Sequence, residues 1–526
     1  MNNGYWIPVL HSHLPFVKHP EYDYFLEEQW LFEAIDECYI PLLTNLKKLV
    51  DENVDFRLTI SITPPLAEMF ADELLMSKYE KHLDKLIELG NKEIQRTLHT
   101  CNEEHNLAIF YKNRYEDIKA FYEGFLDKNL LNGYKYFANL GKIEIITCGA
   151  THGFLPILSI NEQAVKAQIS IAVESHIKHF GVSPRGIWLP ECAYYDGLDK
   201  ILEQYDIKFF FGDSHTLIYA NPTAQNGVFS PVYTPHNIAV FARDPHSSKK
   251  VWSSKEGYPG DFNYRDFYRD IGYDLELSYI KPYISPDGER VFTGFKYRKV
   301  TGDTDDKAFY DPQIAYQKTK EHAQNFHFER VGQFKEVAKH MDRIPMAVSP
   351  YDAELFGHWW FEGTDFLYHL FKEIDEHKAF KTITPIEYLQ ENPTNQVTRP
   401  TPSSWGDQGY YDVWLNKGND WIYRHLHLMA DQMQEKANKY KDEKDSLKIR
   451  VLNQMLRELL LAQSSDWAFL ITTETAIEYS TRRTKEHISN FIKLNESIEN
   501  IDKSFLEWIE EKNSIFKEID FRVFAG

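Results

Sequence analysis

Short apolar runs of strand length recur along most of the chain, and each run ends in polar residues. Seven such runs can be recognised, at residues 5–10, 57–62, 143–147, 186–189, 209–211, 238–241 and 345–348. Most are separated by stretches of helical periodicity. Alternation of this kind predicts parallel strands joined by helices, and therefore an α/β fold.

Polar residues collect where these runs end. They include His11, His13, His152, Glu191, Arg243 and Asp352. Because α/β barrels keep their chemistry at the carboxyl ends of parallel strands, the pattern predicts a barrel with one active site. An open doubly wound sheet is the alternative. The first run is not followed by GxGxxG, which counts against the dinucleotide-binding version of that sheet.

Two stretches of the chain show helical periodicity with no strand pattern. Residues 79–139 are amphipathic and lie between the second and third runs, which predicts a helical insertion. Prolines 393, 400 and 402 mark a boundary, after which residues 400–526 predict a helical C-terminal domain. The barrel is therefore expected to comprise residues 1–78 and 140–399. Within the C-terminal part, the polar stretch 463–467, with Asp466, interrupts two apolar helical runs.

Composition and charge narrow the class of partner. The 526 residues carry a formal net charge of −20, which argues against nucleic acid and anionic membranes. The aromatic share of 15% is high enough to supply flat stacking surfaces for sugar rings. No run of 18 apolar residues and no signal peptide are visible. The four cysteines show no CxxC spacing, so a reducing cytoplasm is expected.

Glu191 is the most informative single residue. It follows Pro190, at the end of an apolar run, and lies between Trp188 and Tyr194. A carboxylate in such surroundings needs hydrogen-bond donors, a cation or a shifted pKa. A structural Glu satisfied by a neighbouring His or Arg is the simpler explanation. The polar residues at the other strand ends favour a catalytic site instead.

Five motifs, in order, resemble those of glycoside hydrolase family 57. They are HSHLP at 11–15, CGATHGFLP at 148–156, WLPE at 188–191, PYDAELFGHWW at 350–360 and SSWG at 403–406. Length and the helical tail resemble the branching-enzyme and α-amylase-like group. The resemblance implies an incomplete (β/α)7 barrel and a retaining mechanism on α-1,4-glucans such as amylose, glycogen and starch, with no metal or organic cofactor.

By motif position, the resemblance makes Glu191 the nucleophile and Asp352 the general acid/base. Retaining glycosidases hold two such carboxyls ~5–5.5 Å apart. Glu354 is a competing candidate for the acid and is expected to be a partner of Asp352 instead. The candidate sugar-binding residues are His11, His13, Trp30, His152, Arg243, Trp359, Trp360, Trp405 and Asp466.

The main prediction is 1,4-α-glucan branching, in which an α-1,4 bond is cleaved and the glycosyl group passes to a 6-hydroxyl. Asn263 stands where branching members are expected to have tryptophan, and the stretch 211–244 is short for their long loop, although Tyr233 could replace its tyrosine. An α-amylase-like hydrolase is therefore the alternative. Two further alternatives are a metal-dependent deacetylase-like enzyme using His11, His13 and His152 or Asp213, and a non-catalytic glycan-binding protein.

Overall fold

The strands of the computed structural model, which describes residues 3–253, 256–302 and 304–526, lie at the predicted places. They are β1 (Tyr5–Ser12), β2 (Leu58–Ile62), β3 (Ile143–Ile146), β4 (Gly186–Ile187), β5 (Phe209–Gly212), β6 (Val232–Tyr233), β7 (Ala239–Ala242), β8 (Met346–Asp352) and β9 (Lys381–Thr382). Each of the seven apolar runs contains one of these strands; β6 and β9 are additional.

The strands form two sheets that are parallel except at one edge. One sheet has the order β3-β2-β1-β8, with β9 also paired to β1, and the other has the order β4-β5-β7-β6. Only β6 runs antiparallel to its neighbour. Single parallel bridges join the sheets on both sides, between Thr147 and Ile187 and between Arg243 and Val348. The architecture is therefore α/β with parallel strands, as the sequence predicts.

The α-helices alternate with these strands and then dominate the end of the chain. They are α1 (Glu28–Ala34), α2 (Ile40–Asp51), α3 (Pro64–Phe70), α4 (Glu73–Thr97), α5 (Asn102–Gly124), α6 (Leu130–Asn139), α7 (Leu155–Leu158), α8 (Glu162–Phe180), α9 (Leu198–Gln204), α10 (Ser214–Ile218), α11 (Pro245–Trp252), α12 (Ile271–Asp274), α13 (Leu277–Ile280), α14 (Pro312–Val337), α15 (Gly363–His377), α16 (Pro385–Glu391), α17 (Trp421–Lys439), α18 (Ser446–Ala462), α19 (Ser465–Thr472), α20 (Ile477–Ser497) and α21 (Lys503–Lys512). A π-helix, Ile35–Tyr39, joins α1 to α2.

Local sequence explains several of these boundaries. Asn161 caps α8 by accepting hydrogen bonds from the backbone of Gln163 and Ala164, and Gly181 ends the helix with φ 77°. Every residue of β1 is buried, as expected for a strand covered on both faces. The first residue of β4, Gly186, has no room for a side chain, because a Cβ there would lie 2.2 Å from the Phe209 ring on β5.

Helices α4 to α6 occupy the stretch predicted as an insertion and contact the irregular segment that follows α11. Tyr111 on α5 donates a hydrogen bond to the carbonyl of Lys296 (2.7 Å), and Tyr279 donates to Glu93 on α4 (2.7 Å). Helices α17 to α21 make up the helical C-terminal region. Within the described ranges, no helix combines the length and apolarity needed to span a membrane.

Tyr233 lies away from the carboxyl ends of the parallel strands. It belongs to β6 and pairs with Ala239, the first residue of β7. The candidate residue Arg243 follows the other end of β7, about 13 Å from Ala239 at the usual rise per strand residue. Tyr233 therefore does not replace the cleft tyrosine considered in the sequence analysis.

Candidate active site

The parallel register brings the carboxyl ends of β1 and β8 together. His11 on β1 is the register partner of Asp352 on β8. The Nε2 atoms of His11 and His152 lie 3.0 Å apart. Glu191 in turn lies 3.6 Å from Nδ1 of His152. The strand ends that the sequence singles out thus converge on one place.

Glu191 is held in a strained turn between two hydrogen-bond donors. Its φ of 62° and those of Cys192 (51°) and His152 (58°) lie in the left-handed region, where side chains other than glycine are uncommon. Trp405 Nε1 donates to Oε2 (2.8 Å) and Ser465 Oγ to Oε1 (3.0 Å). Both carboxylate oxygens are therefore fixed.

Opposing effects set the pKa of Glu191. Burial raises it to about 7, and the charges of Asp466 and Asp352 act in the same direction. The hydrogen bonds from Trp405 and Ser465 lower it. The two candidate carboxyls are therefore close enough for the charge of Asp352 to affect the ionisation of Glu191.

Asp352 has a different environment. Burial and the negative charge of the neighbouring Glu354 together raise its pKa to about 7. The side chain is exposed at the end of β8, so solvent screens part of this effect. Glu354 accepts hydrogen bonds from Tyr39 and from the backbone N–H of His13 (3.1 Å). These contacts hold Glu354 in place beside Asp352, as expected for a partner residue.

His13 and Asp466 form an ion pair across two regions of the chain. His13 Nε2 lies 3.0 Å from Asp466 Oδ2. Although burial opposes protonation, Asp466 raises the pKa of His13. Burial also disfavours the carboxylate of Asp466, yet His13 brings its pKa down to about 2. Each partner therefore favours the charged form of the other, and the partly exposed edge of the pair can donate and accept hydrogen bonds with a hydroxylated ligand.

Arg243 follows β7 and forms an ion pair with Asp213, which follows β5. His215 lies 3.4 Å from the same carboxyl and bonds the carbonyl of Gly409 (2.7 Å). Burial and the charge of Glu354 raise the pKa of Asp352, and the positive charge of Arg243 partly opposes them. Its position is consistent with binding a ligand at that side of the site.

The four candidate tryptophans have different environments. Trp359 is 55% exposed and stacks on Phe267, with ring centroids 4.4 Å apart. Trp30 is half-buried and meets Tyr479 edge-on. Trp360 is 1% exposed and packs against Phe366 (4.9 Å). A ring so buried offers no face to a sugar, so Trp360 is a core residue and not the stacking surface that the sequence analysis expected.

Sequence reasoning missed Ser465 and Tyr39. Ser465 begins α19 and contacts Glu191 across 274 positions of sequence. Tyr39 lies in the π-helix and contacts Glu354 across 315 positions. The polar interruption at 463–467, which contains Asp466, is a sequence signal that also covers Ser465. No local signal marks Tyr39.

Two groups of side chains are close enough to hold a metal ion. Among the described residues, the potential ligand atoms of His11, Cys148 and His152, and those of His13, His152 and Asp466, lie within 4.8 Å of one another. Burial raises the pKa of the Cys148 thiol well above its usual range, so it stays protonated, a poor ligand. The His13 and His152 rings stack face to face (3.9 Å), and the ring nitrogens of His11 and His152 are engaged in hydrogen bonds. We interpret these groups as a hydrogen-bond network.

Comparison with known proteins gives consistent matches over the whole chain. Residues 7–400 match the model of glycosyl hydrolase family 57, and residues 425–524 match that of the C-terminal region of 1,4-alpha-glucan branching enzymes. A curated 1,4-alpha-glucan branching enzyme of Thermococcus kodakarensis is 32% identical over 98% of this chain and 78% of its own length. The solved α-amylase AmyC of Thermotoga maritima has a TM-score of 0.94 and 47% identity over 99% of both chains. The branching enzyme of Pyrococcus horikoshii has a TM-score of 0.89 and 32% identity, covering 100% of this chain and 97% of its own.

Proposed function

The chain belongs to glycosyl hydrolase family 57, and from this premise we propose that it is a 1,4-α-glucan branching enzyme. It would cleave α-1,4 bonds of amylose, glycogen or starch with retention and transfer the glycosyl group to a 6-hydroxyl. One observation carries the proposal. The region that matches the branching-enzyme C-terminal model supplies Ser465 and Asp466 to the site, where they contact Glu191 and His13.

The proposed mechanism uses two carboxyls. Glu191 attacks the anomeric carbon, and Asp352 protonates the leaving oxygen and later deprotonates the acceptor. His11, His13, His152, Arg243 and Asp466 would bind sugar hydroxyls around the cleaved bond. The two acids should lie ~5–5.5 Å apart in the productive complex.

Two finer structural features are part of the same proposal. The seven strands of the apolar runs, all parallel, and the bridges at Thr147 and Arg243 support an incomplete (β/α)7 barrel. The division into that barrel, the insertion at 79–139 and a C-terminal domain from 400 stays a prediction.

Free thiols at the three buried cysteines and at exposed Cys101 are consistent with a reducing, cytoplasmic location.

Hydrolysis is the second candidate function. The high identity to the solved α-amylase AmyC favours it, as do Asn263 and the position of Tyr233. The two functions differ only in whether a sugar hydroxyl or water attacks the glycosyl-enzyme.

Incubation with amylose separates the two candidates. New α-1,6 linkages, counted after debranching, are expected to outnumber new reducing ends. Reducing ends without α-1,6 linkages would establish the hydrolase instead. Full turnover after exhaustive chelation would exclude the metal-dependent alternative, and loss of turnover in Glu191→Gln would exclude a non-catalytic binding protein.

A further inference from the structure

A line of hydrogen bonds crosses the site and ends on Glu191. Ser465 Oγ donates to Glu191 Oε1 (3.0 Å) and lies 2.8 Å from Nδ1 of His152. The Nε2 atoms of His152 and His11 are 3.0 Å apart. At the far end, Nδ1 of His11 lies 3.1 Å from Oγ of Ser61 on β2. The line therefore connects β2, β1, the loop after β3 and the start of α19.

The carboxylate of Glu191, at the end of this line, determines which atom is the donor in each of its hydrogen bonds. An ionised carboxylate can only accept, and a hydroxyl has a single hydrogen. Ser465 gives that hydrogen to Glu191, so its oxygen accepts from Nδ1–H of His152. Nε2 of His152 then has no hydrogen and accepts from His11, whose Nδ1 accepts from Ser61. Every donor points toward Glu191.

This arrangement requires that both histidines be neutral. Burial lowers the pKa of His11 and of His152 well below the usual range. Each ring thus carries one hydrogen, as the line demands. Hydrogen bonds that point the same way polarise one another, and the effect is strongest where water is excluded. The bond that reaches Glu191 is therefore stronger than that of an isolated serine.

We infer that Ser465 is a positioning residue for the reaction, whose hydroxyl transmits this polarised line to Glu191 and keeps the carboxyl ionised and oriented for attack. The inference rests on the proposed function, because it takes Glu191 as the nucleophile. Ser465 N–H also donates to the carbonyl of His152 (3.0 Å). That backbone contact survives substitution of the side chain, so the hydroxyl can be removed without releasing the loop.

Several titratable groups from different elements act on Glu191 or are affected by its charge. They are Asp352 of β8, Asp466 of α19, His13 after β1, Cys148 and His152 after β3, and Cys192 after β4. All of them remain when Ser465 becomes alanine, so the change isolates one donor. Because that donor lowers the pKa of Glu191, its loss raises the pKa. Glu191 must be ionised to attack, and the acidic limb of the pH profile must then move to higher pH.

The test is the pH dependence of kcat/KM on amylose for the wild type, Ser465→Ala, Ser465→Thr and Ser480→Ala. Ser465→Ala should lose about 10- to 100-fold at neutral pH, the range for a hydrogen bond to a charged group. The acidic limb of its pH profile should move up by about one pH unit or more. At alkaline pH its kcat/KM should fall by less. KM should change little. Ser465→Thr keeps a hydroxyl and should recover most of the activity. Ser480 is a buried serine that bonds within α20, and Ser480→Ala should resemble the wild type.

An acidic limb that stays in place, with an equal loss at every pH, would overturn the inference, as would a folded Ser465→Thr no better than alanine. If Ser465→Ala does not fold, Ser61→Ala decides. It weakens the line at its far end and should move the limb in the same direction by less, and an unmoved limb there overturns the inference too. Failure of the proposed function is a separate result, because the wild type itself would then not turn over α-glucans.

Discussion

The two candidate carboxyls differ in the hydrogen bonds that they receive. Glu191 accepts from Trp405 and from Ser465, and both bonds favour its ionised form. The pKa of Asp352 is raised by surrounding protein and by Glu354. When two coupled acids share one proton, the acid without donors keeps it. The structure thus favours Glu191 as the anion and Asp352 as the acid.

This division of roles predicts different substrate dependence for Asp352→Asn and Glu191→Gln. Asp352→Asn should lose about 10²- to 10⁴-fold on amylose, the usual contribution of a general acid. With an α-maltosyl fluoride it should release about one equivalent of fluoride in a rapid burst, since fluoride leaves without protonation, and then turn over slowly, because Asp352 also deprotonates the acceptor. Glu191→Gln should be nearly inactive on both, because no covalent intermediate forms. Fluoride release measures this directly, and rapid release by Glu191→Gln would assign the nucleophile elsewhere.

Trp405 holds Glu191 through its indole N–H, a contact that the sequence alone does not suggest. Trp405→Phe keeps a ring and removes the hydrogen bond to Glu191. We expect transfer and hydrolysis to fall in equal proportion, by about tenfold or more. Both can be followed in one amylose digest, from α-1,6 linkages and reducing ends.

Trp414→Phe is the matched control for this change. Trp414 is 1% exposed, stacks on Phe154, and its Nε1 has no partner among the described residues. Trp414→Phe should leave the rates of transfer and hydrolysis, and the ratio between them, close to those of the wild type. A Trp405→Phe enzyme that loses transfer but keeps hydrolysis would restore the stacking role that the sequence analysis expected.

At the scale of elements, the hydrophobic pattern predicted most of the sheet. Strands that are buried on both faces appear as continuous apolar runs, and all seven such runs contain a parallel strand. The pattern did not predict β6 and β9. Each is two residues long, too short for any periodicity, and each exists through pairing with a neighbouring strand.

The pattern located the strand-end residues of the site but not their partners. His11, His152 and Glu191 each end or follow a strand, and parallel register brings such ends together. Ser465 and Tyr39 reach the site from helices, and their contacts depend on how distant elements pack. Burial of Trp360 likewise depends on packing, since its neighbour Trp359 in the same motif is exposed.

A buried ion pair fastens the π-helix to the segment after α11. Arg265 NH1 lies 2.7 Å from Glu37 Oε1, and the Arg265 side chain is 1% exposed. Arg265→Met should cost about 3–5 kcal/mol, because it leaves the buried Glu37 charge with His358 (2.7 Å) in place of two ion-pair partners. Denaturant unfolding measures the loss.

Arg269→Met supplies the control from the same segment. Arg269 pairs with Asp274 at 3.0 Å, and both side chains are about one-third exposed. Exposed pairs contribute roughly 0–1 kcal/mol, so this variant should unfold near the wild-type midpoint. Equal losses in the two variants would show that the buried pair does not fasten these elements.

At the scale of the whole molecule, three regions of the chain meet at Glu191. The strand ends supply Glu191 itself, Asp352 and the histidines, the loop around Trp405 holds one oxygen of Glu191, and the start of α19 holds the other. The segment after α11 adds Phe267, which supports Trp359. That segment also contains Asn263, where the chain departs from the branching members that it resembles. We therefore propose that this segment contributes to the acceptor side of the site and so influences the balance between transfer and hydrolysis.

Trp359 is the residue on which that balance is expected to depend. It lies in the loop after β8, where its backbone N–H donates to the carbonyl of Glu354. One face of its ring packs on Phe267, and the residue is 55% exposed. A second glucan can stack on this ring, whereas water needs no such surface. If stacking contributes about 1 kcal/mol, Trp359→Ala should lower the ratio of transfer to hydrolysis roughly fivefold. Trp508→Ala, at a 45% exposed tryptophan on α21, should leave the ratio unchanged. An unchanged ratio in Trp359→Ala would place the acceptor site elsewhere on the cleft.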